Sequence, residues 1–230
     1  MKVIGLIGGM TWESSLEYYR IINEEVKTRL GGFHSAKILM YSVDFQEVER
    51  QQSRGRWDES ARLLVESAER LERGGADLLL ICANTMHRVA DEVESAVRIP
   101  LVHIADATAA EASRLGARRL GLLGTRYTME EDFLKGRLSR HGLSVIVPGE
   151  RSREAVHAVI YDELCFGKIV PESRRAVLGI IEELREGGAQ AVVLGCTELP
   201  LLVKQSDTSV VLLDTTALHA RRAVELALAS

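Results

Sequence analysis

The chain has 230 residues, of which 46% are hydrophobic and 27% charged, and its formal net charge at pH 7 is −4. This is the composition of an ordinary globular protein, and the length suits one large domain or two smaller ones. The acidic charge, with basic residues scattered among acids, argues against a nucleic-acid-binding surface. No apolar segment reaches the roughly 18 residues needed to span a bilayer. Residues 1–5 lead into a strand-like pattern and not a signal peptide. We therefore expect no nucleic-acid or membrane partner.

The three cysteines, Cys82, Cys165 and Cys196, are widely spaced along the chain. An odd number without a C-x-x-C pair is typical of a reducing compartment, which predicts a cytoplasmic protein without structural disulfides. No second cysteine or histidine stands at zinc-ligand spacing. The glycine-rich start at residues 8–10 matches neither the dinucleotide-binding pattern nor a P-loop. We therefore predict no metal and no cofactor.

Short β-rich apolar runs alternate with longer helical patterns, which predicts an α/β fold with mainly parallel sheets. Strands are predicted at residues 3–7, 36–43, 77–81, 101–104, 119–123, 144–147, 191–194 and 209–213. Helices are predicted at residues 12–30, 56–73, 85–97, 106–115, 129–140, 152–166, 171–186 and 216–228. Ligands of open α/β sheets bind outside the carboxyl ends of the strands, so the residues that follow each strand are the candidates for a site.

The two halves of the chain resemble each other. The segment "VIGLIGGM" at residues 3–10 is similar to "RLGLLGTR" at residues 119–126, and "LERGGADLLLICANT" at residues 71–85 aligns without a gap with "LREGGAQAVVLGCTE" at residues 184–198. The repeat predicts two halves of similar layout whose strand ends converge on one cleft. We place the first domain at residues 1–100 plus 207–230 and the second at residues 101–206.

The repeat aligns Cys196 with Ala83 and not with Cys82. Because adjacent side chains of a strand face opposite ways, a Cys196 in the cleft implies that Ala83 faces the cleft and that Cys82 points into the packed interior. A thiol at a strand end beside a helix start can have a lowered pKa. A free cysteine is equally an ordinary small buried hydrophobe.

Neutral hydrogen-bond donors also follow the predicted strands. They suit a carboxylate ligand, which accepts several hydrogen bonds, although each is also a common turn or helix-capping residue. These donors are Asn84, Thr85, Thr125, Thr128 and Thr197.

Five segments, "IGLIGGMTWES", "ANTMH", "HIADAT", "LLGTRYTM" and "LGCTELP", together resemble the aspartate/glutamate racemase family, and most closely its members that act on L-aspartate and L-glutamate. The resemblance covers essentially the whole chain. It implies that the two halves are pseudo-symmetric α/β domains with the active site in the cleft between them. It implies a cofactor-independent enzyme, commonly a homodimer, that holds an acidic amino acid between the two domains. It also implies two acid/base residues, one from each domain, because inverting a stereocentre needs exchangeable protons on both faces.

Residue by residue, the resemblance implies that Cys196 is the acid/base thiol of the second domain and that Asn84 and Thr85 bind the substrate carboxylate. The other motif positions that it places along the cleft are Met10, Thr125, Thr197 and Glu198. Weaker candidates for binding the distal carboxylate of the substrate are Gln52, Arg54 and Lys168. They lie in segments that we expect to be mobile, and each is equally well explained as a residue of the solvated surface. His87 and His103 are expected to be structural or supporting, and His219 to be packing.

The chain departs from the family at the residue immediately before Asn84. Family members carry cysteine or threonine there, whereas this chain has Ala83, whose methyl group carries no proton. Four interpretations follow: a racemase with a substitute such as Cys82 or a bound water, an introduced substitution that stalls turnover, one-face chemistry like that of the related arylmalonate decarboxylases, or binding without catalysis. We favour the first two together.

Overall fold

The computed structural model describes residues 1–229. Its strands are β1 (Ile4–Gly8), β2 (Ile38–Ser42), β3 (Leu78–Ile81), β4 (Arg119–Gly124), β5 (Ser144–Ile146), β6 (Ala191–Gly195) and β7 (Leu212–Asp214). Its α-helices are α1 (Trp12–Leu30), α2 (Phe45–Ser53), α3 (Trp57–Arg73), α4 (Ala90–Ala96), α5 (Ile104–Arg114), α6 (Arg126–Glu130), α7 (Asp132–Arg140), α8 (Glu150–Ala158), α9 (Pro171–Glu186), α10 (Leu199–Leu202) and α11 (Thr215–Leu228). Shorter helical turns are the 3₁₀ segments Thr85–Val89, Leu164–Phe166 and Gln205–Asp207 and the π-helical segment Val159–Glu163.

These elements form two compact units. The first unit comprises Met1–Ile104 and the residues from Thr216 onward, and its parallel sheet has the order β2-β1-β3. The second unit comprises Ala105–Thr215, and its parallel sheet has the order β5-β4-β6-β7. The predicted α/β fold class with parallel sheets is confirmed.

The first unit has an apolar layer on each face of its sheet. On one face, Ile4 and Leu6 of β1 pack with Tyr18 and Ile22 of α1 and with Ala220 of α11. The α1 residues are four apart in sequence and therefore lie on one side of the helix. The opposite face of the sheet packs against α3. Strands β1 and β3 are buried on both faces, which explains why they read as continuous apolar runs, whereas the edge strand β2 is only partly buried.

The second unit is built in the same way. Helix α9 begins with Pro171, which is suited to the first helical position because its missing N–H would have no intrahelical partner there. Its apolar residues Val177, Ile181 and Leu184 recur at helical spacing and are buried against β6.

The registers of the two sheets bear out the internal repeat. In the first sheet, Ile4 is the Cα partner of Leu78. In the second, Leu120 is the partner of Ala191. These are equivalent residues in the two sequence alignments. The strand ends before Ala83 and before Cys196 are therefore equivalent parts of the two units.

Two local predictions are wrong. Residues 101–104 do not form a strand, because only Leu101 makes a single bridge, to Leu79, and Ile104 already opens α5. Of the segment that we expect to be mobile, residues 49–57, residues 49–53 belong to helix α2, which begins where the Asp44 side chain accepts a hydrogen bond from the amide of Gln46.

The predicted domain limits differ from the limits of the compact units in two places. Residues 101–104, predicted in the second domain, lie in the first unit. Residues 207–215, predicted in the first domain, lie in the second unit, where β7 pairs with β6 in parallel. The chain returns to the first unit only with α11. None of the helices in the described part of the chain is long and apolar enough to cross a membrane.

Candidate functional site

The strand alternation of β3 continues past its last residue and separates Cys82 from Ala83. Cys82 is fully buried with Leu80 and Val102, and this burial raises the pKa of its thiol well above the ordinary range. Ala83 lies in the apolar cluster on the other face of the sheet, with Ile7. The prediction that Cys82 points into the packed interior is therefore confirmed.

The backbone holds Cys82 in that position. Its amide donates to the carbonyl of Ile7 at 2.9 Å, and its carbonyl accepts a hydrogen bond from Ser14 Oγ at 3.2 Å. A thiol on the opposite face of the sheet from position 83 is a poor substitute for an acid/base residue there. The geometry therefore argues against Cys82 in that role.

The chain leaves the sheet at Asn84 and Thr85. Asn84 has α-helical backbone angles, Thr85 opens a 3₁₀ turn, and both side chains are buried at the end of the strand. Met10, which follows β1, is buried in the same apolar cluster as Ala83. The first unit thus brings these predicted site residues together at the carboxyl ends of β1 and β3.

Gln52 and Arg54 have different surroundings, although both were predicted to lie in a mobile segment. Gln52 is buried on α2, and its amide nitrogen lies 3.0 Å from the sulfur of Met86. Arg54 stands at the end of α2 and is exposed. Only Gln52 is thereby tied to the segment that follows Ala83.

Two serines of α1 belong to the same strand end and were missed from the sequence. Ser15 Oγ accepts a hydrogen bond from the amide of Gly9 at 2.8 Å, and Ser14 holds the carbonyl of Cys82. Their position in the sequence could have indicated this, because both serines fall in the first turn of a helix that begins directly after a glycine turn. Such helix N-termini are common anion-binding positions.

In the second unit, Cys196 directly follows β6 and pairs with a carboxylate. Its Sγ donates to Glu198 Oε2 at 3.0 Å, and Thr197 Oγ1 donates to the same oxygen at 2.7 Å. All three side chains are buried. The arrangement is a thiol and a hydroxyl that share one carboxylate oxygen.

The expectation of a lowered thiol pKa is wrong. Burial, and after it the negative charge of Glu198, raise the pKa of Cys196 well above its ordinary value. The helix that follows, α10, spans only Leu199–Leu202 and offers little positive dipole to oppose this effect. Cys196 is therefore a protonated thiol that is hydrogen-bonded to a base.

Thr125 and Thr128 lie at the end of β4 in the same unit. Thr125 caps α6 by accepting from the amide of Thr128 at 3.4 Å, and the two buried hydroxyl oxygens are 3.2 Å apart. At this edge β4 and β6 approach so closely that a Cβ on Gly124 would lie 2.7 Å from the carbonyl oxygen of Gly195. Glycine is required there, and the close approach brings the ends of the two strands together.

Lys168 is exposed on the segment after the 3₁₀ turn Leu164–Phe166. Its Nζ lies 5.7 Å from the centroid of the Phe166 ring, a contact within cation–π range. Cys165 of the same turn packs against the apolar cluster that contains Cys196. Within residues 1–229, no group of three or more His, Cys, Asp or Glu side chains is arranged to hold a metal ion.

Comparison with known proteins identifies the family of the chain. The family model for Asp/Glu/hydantoin racemases matches residues 7–223. A protein from Yersinia pestis, described as a candidate Asp/Glu racemase, is 52% identical over the full length of both chains, and its crystal structure superposes with a TM-score of 0.93. An aspartate racemase homologue from Pyrococcus horikoshii OT3 is 39% identical, with 99% of each chain covered and a TM-score of 0.86.

A more distant relative is the broad specificity amino-acid racemase RacX of Bacillus subtilis, which is 24% identical over 75% of this chain and 74% of its own length. Named relatives of this chain are thus racemases, which belong to the isomerases. Since the family model covers nearly all of the sequence, the protein belongs to the Asp/Glu/hydantoin racemase family and is an enzyme of the isomerase class.

Proposed function

We propose that the protein inverts the configuration at Cα of an acidic amino acid, aspartate or glutamate, without a cofactor. The observation that carries the proposal is the hydrogen bond between Cys196 and Glu198. A buried thiol that donates to a carboxylate can give a proton to substrate and recover it from a neighbour, which is the requirement for general acid/base work at Cα. Cys196 acts on one face of Cα.

The two directions of proton transfer use this pair differently. As an acid, the Cys196 thiol donates its proton to the substrate carbanion. As a base, it first passes that proton to Glu198 Oε2, and the resulting thiolate removes the α-proton. The hydroxyl of Thr197 donates to the same oxygen and keeps the carboxylate in place.

Substrate binding is assigned to the polar residues at the strand ends. Asn84 and Thr85 bind the α-carboxylate, and Thr125 supports the charge that develops on the substrate, since fixed donors stabilise such charge. Their burial at the ends of β3 and β4 supports this assignment. Further candidates for contact with substrate are Met10, Gln52, Arg54 and Lys168.

The face of Cα that the resemblance assigns to position 83 is the impaired one. Ala83 carries no exchangeable proton, so a water molecule supplies and removes the proton there. Loss of one general acid/base residue typically costs about 10²–10⁴-fold in rate. We therefore expect slow racemisation with faster exchange on the face of Cys196.

One assay tests the function. The protein is incubated with L-aspartate or L-glutamate in D₂O, and the α-proton signal is followed by NMR together with the ratio of D- to L-isomer. Loss of the α-proton with accumulation of the D-isomer supports the proposal. Saturable binding without exchange would mean a binding protein, and failure of both acids to bind would overturn the assignment.

A second function, one-face protonation as in a decarboxylase of a malonate-type acid, is favoured by a specific observation. Cys196 is a protonated thiol, whereas its counterpart in the repeat is a methyl group. Exchange with retained L-configuration, together with CO₂ release from an arylmalonate, would support this alternative over racemisation.

We further propose that the enzyme is a homodimer. Trp12, Leu16 and Tyr19 of α1 are large and exposed, and their spacing of four and three residues puts them on one side of the helix. Sedimentation should show a dimer, and Leu16→Lys should shift the population toward monomer. A monomeric parent chain would contradict the proposal.

Independence from pyridoxal phosphate and a cytoplasmic location remain predictions. The first rests on the thiol chemistry proposed above, and hydroxylamine, which captures pyridoxal phosphate, should leave the exchange rate unchanged. The second rests on the number and spacing of the cysteines.

A further inference from the structure

We propose that His87 is a positioning residue, which as a neutral imidazole with its proton on Nδ1 locks the peptide between Ala83 and Asn84. The effect on turnover rests on the proposed function. The effect on the protonation of His87 itself does not, and it can be measured on the protein alone.

The hydrogen bonds of the ring define its tautomer. Nδ1 of His87 lies 2.8 Å from the carbonyl oxygen of Ala83, and Nε2 lies 3.2 Å from the amide nitrogen of Ile104. A carbonyl oxygen only accepts and a backbone amide only donates. The proton is therefore on Nδ1 and the lone pair on Nε2. A proton added at Nε2 would face the N–H of Ile104.

His87 acts on the strand end twice. Its ring holds the carbonyl of Ala83, and its backbone amide donates to the carbonyl of Asn84 at 3.0 Å. Because the six atoms of a peptide unit are coplanar, fixing the Ala83 carbonyl fixes the whole unit that joins Ala83 to Asn84. The directions of both side chains follow from that plane.

The imidazole also connects this strand end to the rest of the unit. Ile104 is the first residue of α5, where the first backbone amides of the helix have no intrahelical acceptor. Nε2 of His87 accepts from one of these amides across 17 residues of sequence. One ring thereby joins the amide of Ile104 to the carbonyl of Ala83.

A neighbouring histidine provides an internal reference with the opposite tautomer. Nε2 of His219 lies 2.6 Å from the carbonyl oxygen of Val102, so it carries the proton, and Nδ1 accepts from the hydroxyl of Tyr18 at 2.8 Å. The rings of His87 and His219 are 5.6 Å apart between centroids, and both are buried. In their neutral forms, these two adjacent imidazoles would thus carry their protons on different nitrogens.

The first experiment measures the tautomers directly. ¹⁵N-labelled histidine is incorporated into the full chain, and long-range proton–nitrogen spectra near neutral pH are assigned with single histidine substitutions. The expected result is a protonated Nδ1 in His87 and a protonated Nε2 in His219. A His87 ring protonated at Nε2, or at both nitrogens, would overturn the proposal whether or not the protein is a racemase.

The second experiment separates positioning from mere packing with a matched pair of variants. His87→Asn keeps an amide N–H at the place of Nδ1 and loses the acceptor for Ile104. His87→Gln keeps only the distal group and loses the donor to Ala83. Both remove one buried ring, so their effects on folding serve as controls for each other, and thermal unfolding measures them.

The expected readout is the Michaelis constant for α-proton exchange by the folded protein. Displacing Asn84 weakens substrate binding, so His87→Gln should raise KM by about 10- to 100-fold, while His87→Asn stays closer to the parent chain. Loss of folded protein alone lowers apparent kcat and leaves KM unchanged. An unchanged KM in both variants, or a larger rise in His87→Asn, would overturn the positioning role. A parent chain that neither binds nor exchanges substrate would instead contradict the proposed function.

Discussion

The thiol of Cys196 donates to the carboxylate of Glu198 across 3.0 Å, in a buried position directly after β6. This contact stabilises the protonated thiol, because a thiolate would face a carboxylate of the same charge. The resting form of Cys196 is therefore the proton donor. Its thiolate requires that Glu198 take up the proton.

Replacing Glu198 by Gln removes that charge and the base together. Without the negative charge the pKa of Cys196 falls, although burial still holds it above the ordinary value. The pH dependence of alkylation by iodoacetamide, followed at the Cys196 peptide by mass spectrometry, should shift to lower pH. Exchange of the substrate α-proton should slow by about 10²–10⁴-fold.

Thr197→Val is the matched control for this substitution. It removes a hydroxyl from the same carboxylate oxygen and leaves the charge of Glu198 in place. The alkylation profile should therefore not move to lower pH. If Thr197→Val and Glu198→Gln shift the profile alike, the charge of Glu198 is not what raises the pKa.

Cys196 and Cys82 should respond in opposite ways to substitution. Cys196→Ser replaces the thiol with a far weaker acid and should abolish exchange. Cys82→Ala removes a sulfur from a packed cluster on the far face of the sheet, which should lower the melting temperature and leave exchange per folded molecule unchanged. Isotope exchange and thermal unfolding are measured on both variants, and exchange that survives in Cys196→Ser removes this thiol from the mechanism.

Ala83→Thr and Ala83→Cys should increase racemisation. Either side chain restores a proton-bearing atom at the position that the repeat aligns with Cys196. The gain should reach about 10²–10⁴-fold if the methyl group is the cause of slow turnover. The rate of D-isomer formation measures it. Ala83→Val, which has nearly the size of threonine and no hydroxyl, controls for filling the space and should give no gain.

Asp106 links stability to pH in the second unit. Its carboxylate accepts from Arg137 at 2.8 and 2.7 Å and lies 2.9 Å from Nε2 of His141. Burial alone would raise the pKa of Asp106, but these hydrogen bonds outweigh burial and hold it below its usual range. A folded-state pKa below the unfolded one gives stability that is fully present above the unfolded pKa and lost as pH falls through the folded pKa.

Asp106→Asn should therefore lower the melting temperature at neutral pH, and the difference from the parent chain should shrink once the pH falls below the ordinary aspartate range. Thermal unfolding as a function of pH measures this. Arg137→Gln is made alone and together with Asp106→Asn, and the resulting double-mutant cycle isolates the contribution of the ion pair. A difference that stays constant from neutral to strongly acidic pH would contradict the linkage.

The sequence by itself determined much of the architecture. Buried parallel strands read as continuous apolar runs, and helices such as α1 and α9 repeat their apolar residues at helical spacing, so both are local signals. The internal repeat predicted that position 83 and Cys196 are equivalent. The alternation of a strand was enough to put Cys82 on the opposite face, because that alternation depends only on neighbouring residues.

Only the tertiary structure decided what surrounds those positions. The direction in which the pKa of Cys196 shifts depends on burial and on the position of the Glu198 side chain. The burial of Gln52 depends on the packing of α2 against Met86. His87 reaches Ile104, and β7 joins the second sheet, through contacts that local pattern does not encode. Hydrogen-bond partners and charges distant in sequence act through space, and their position is known only once the chain is folded.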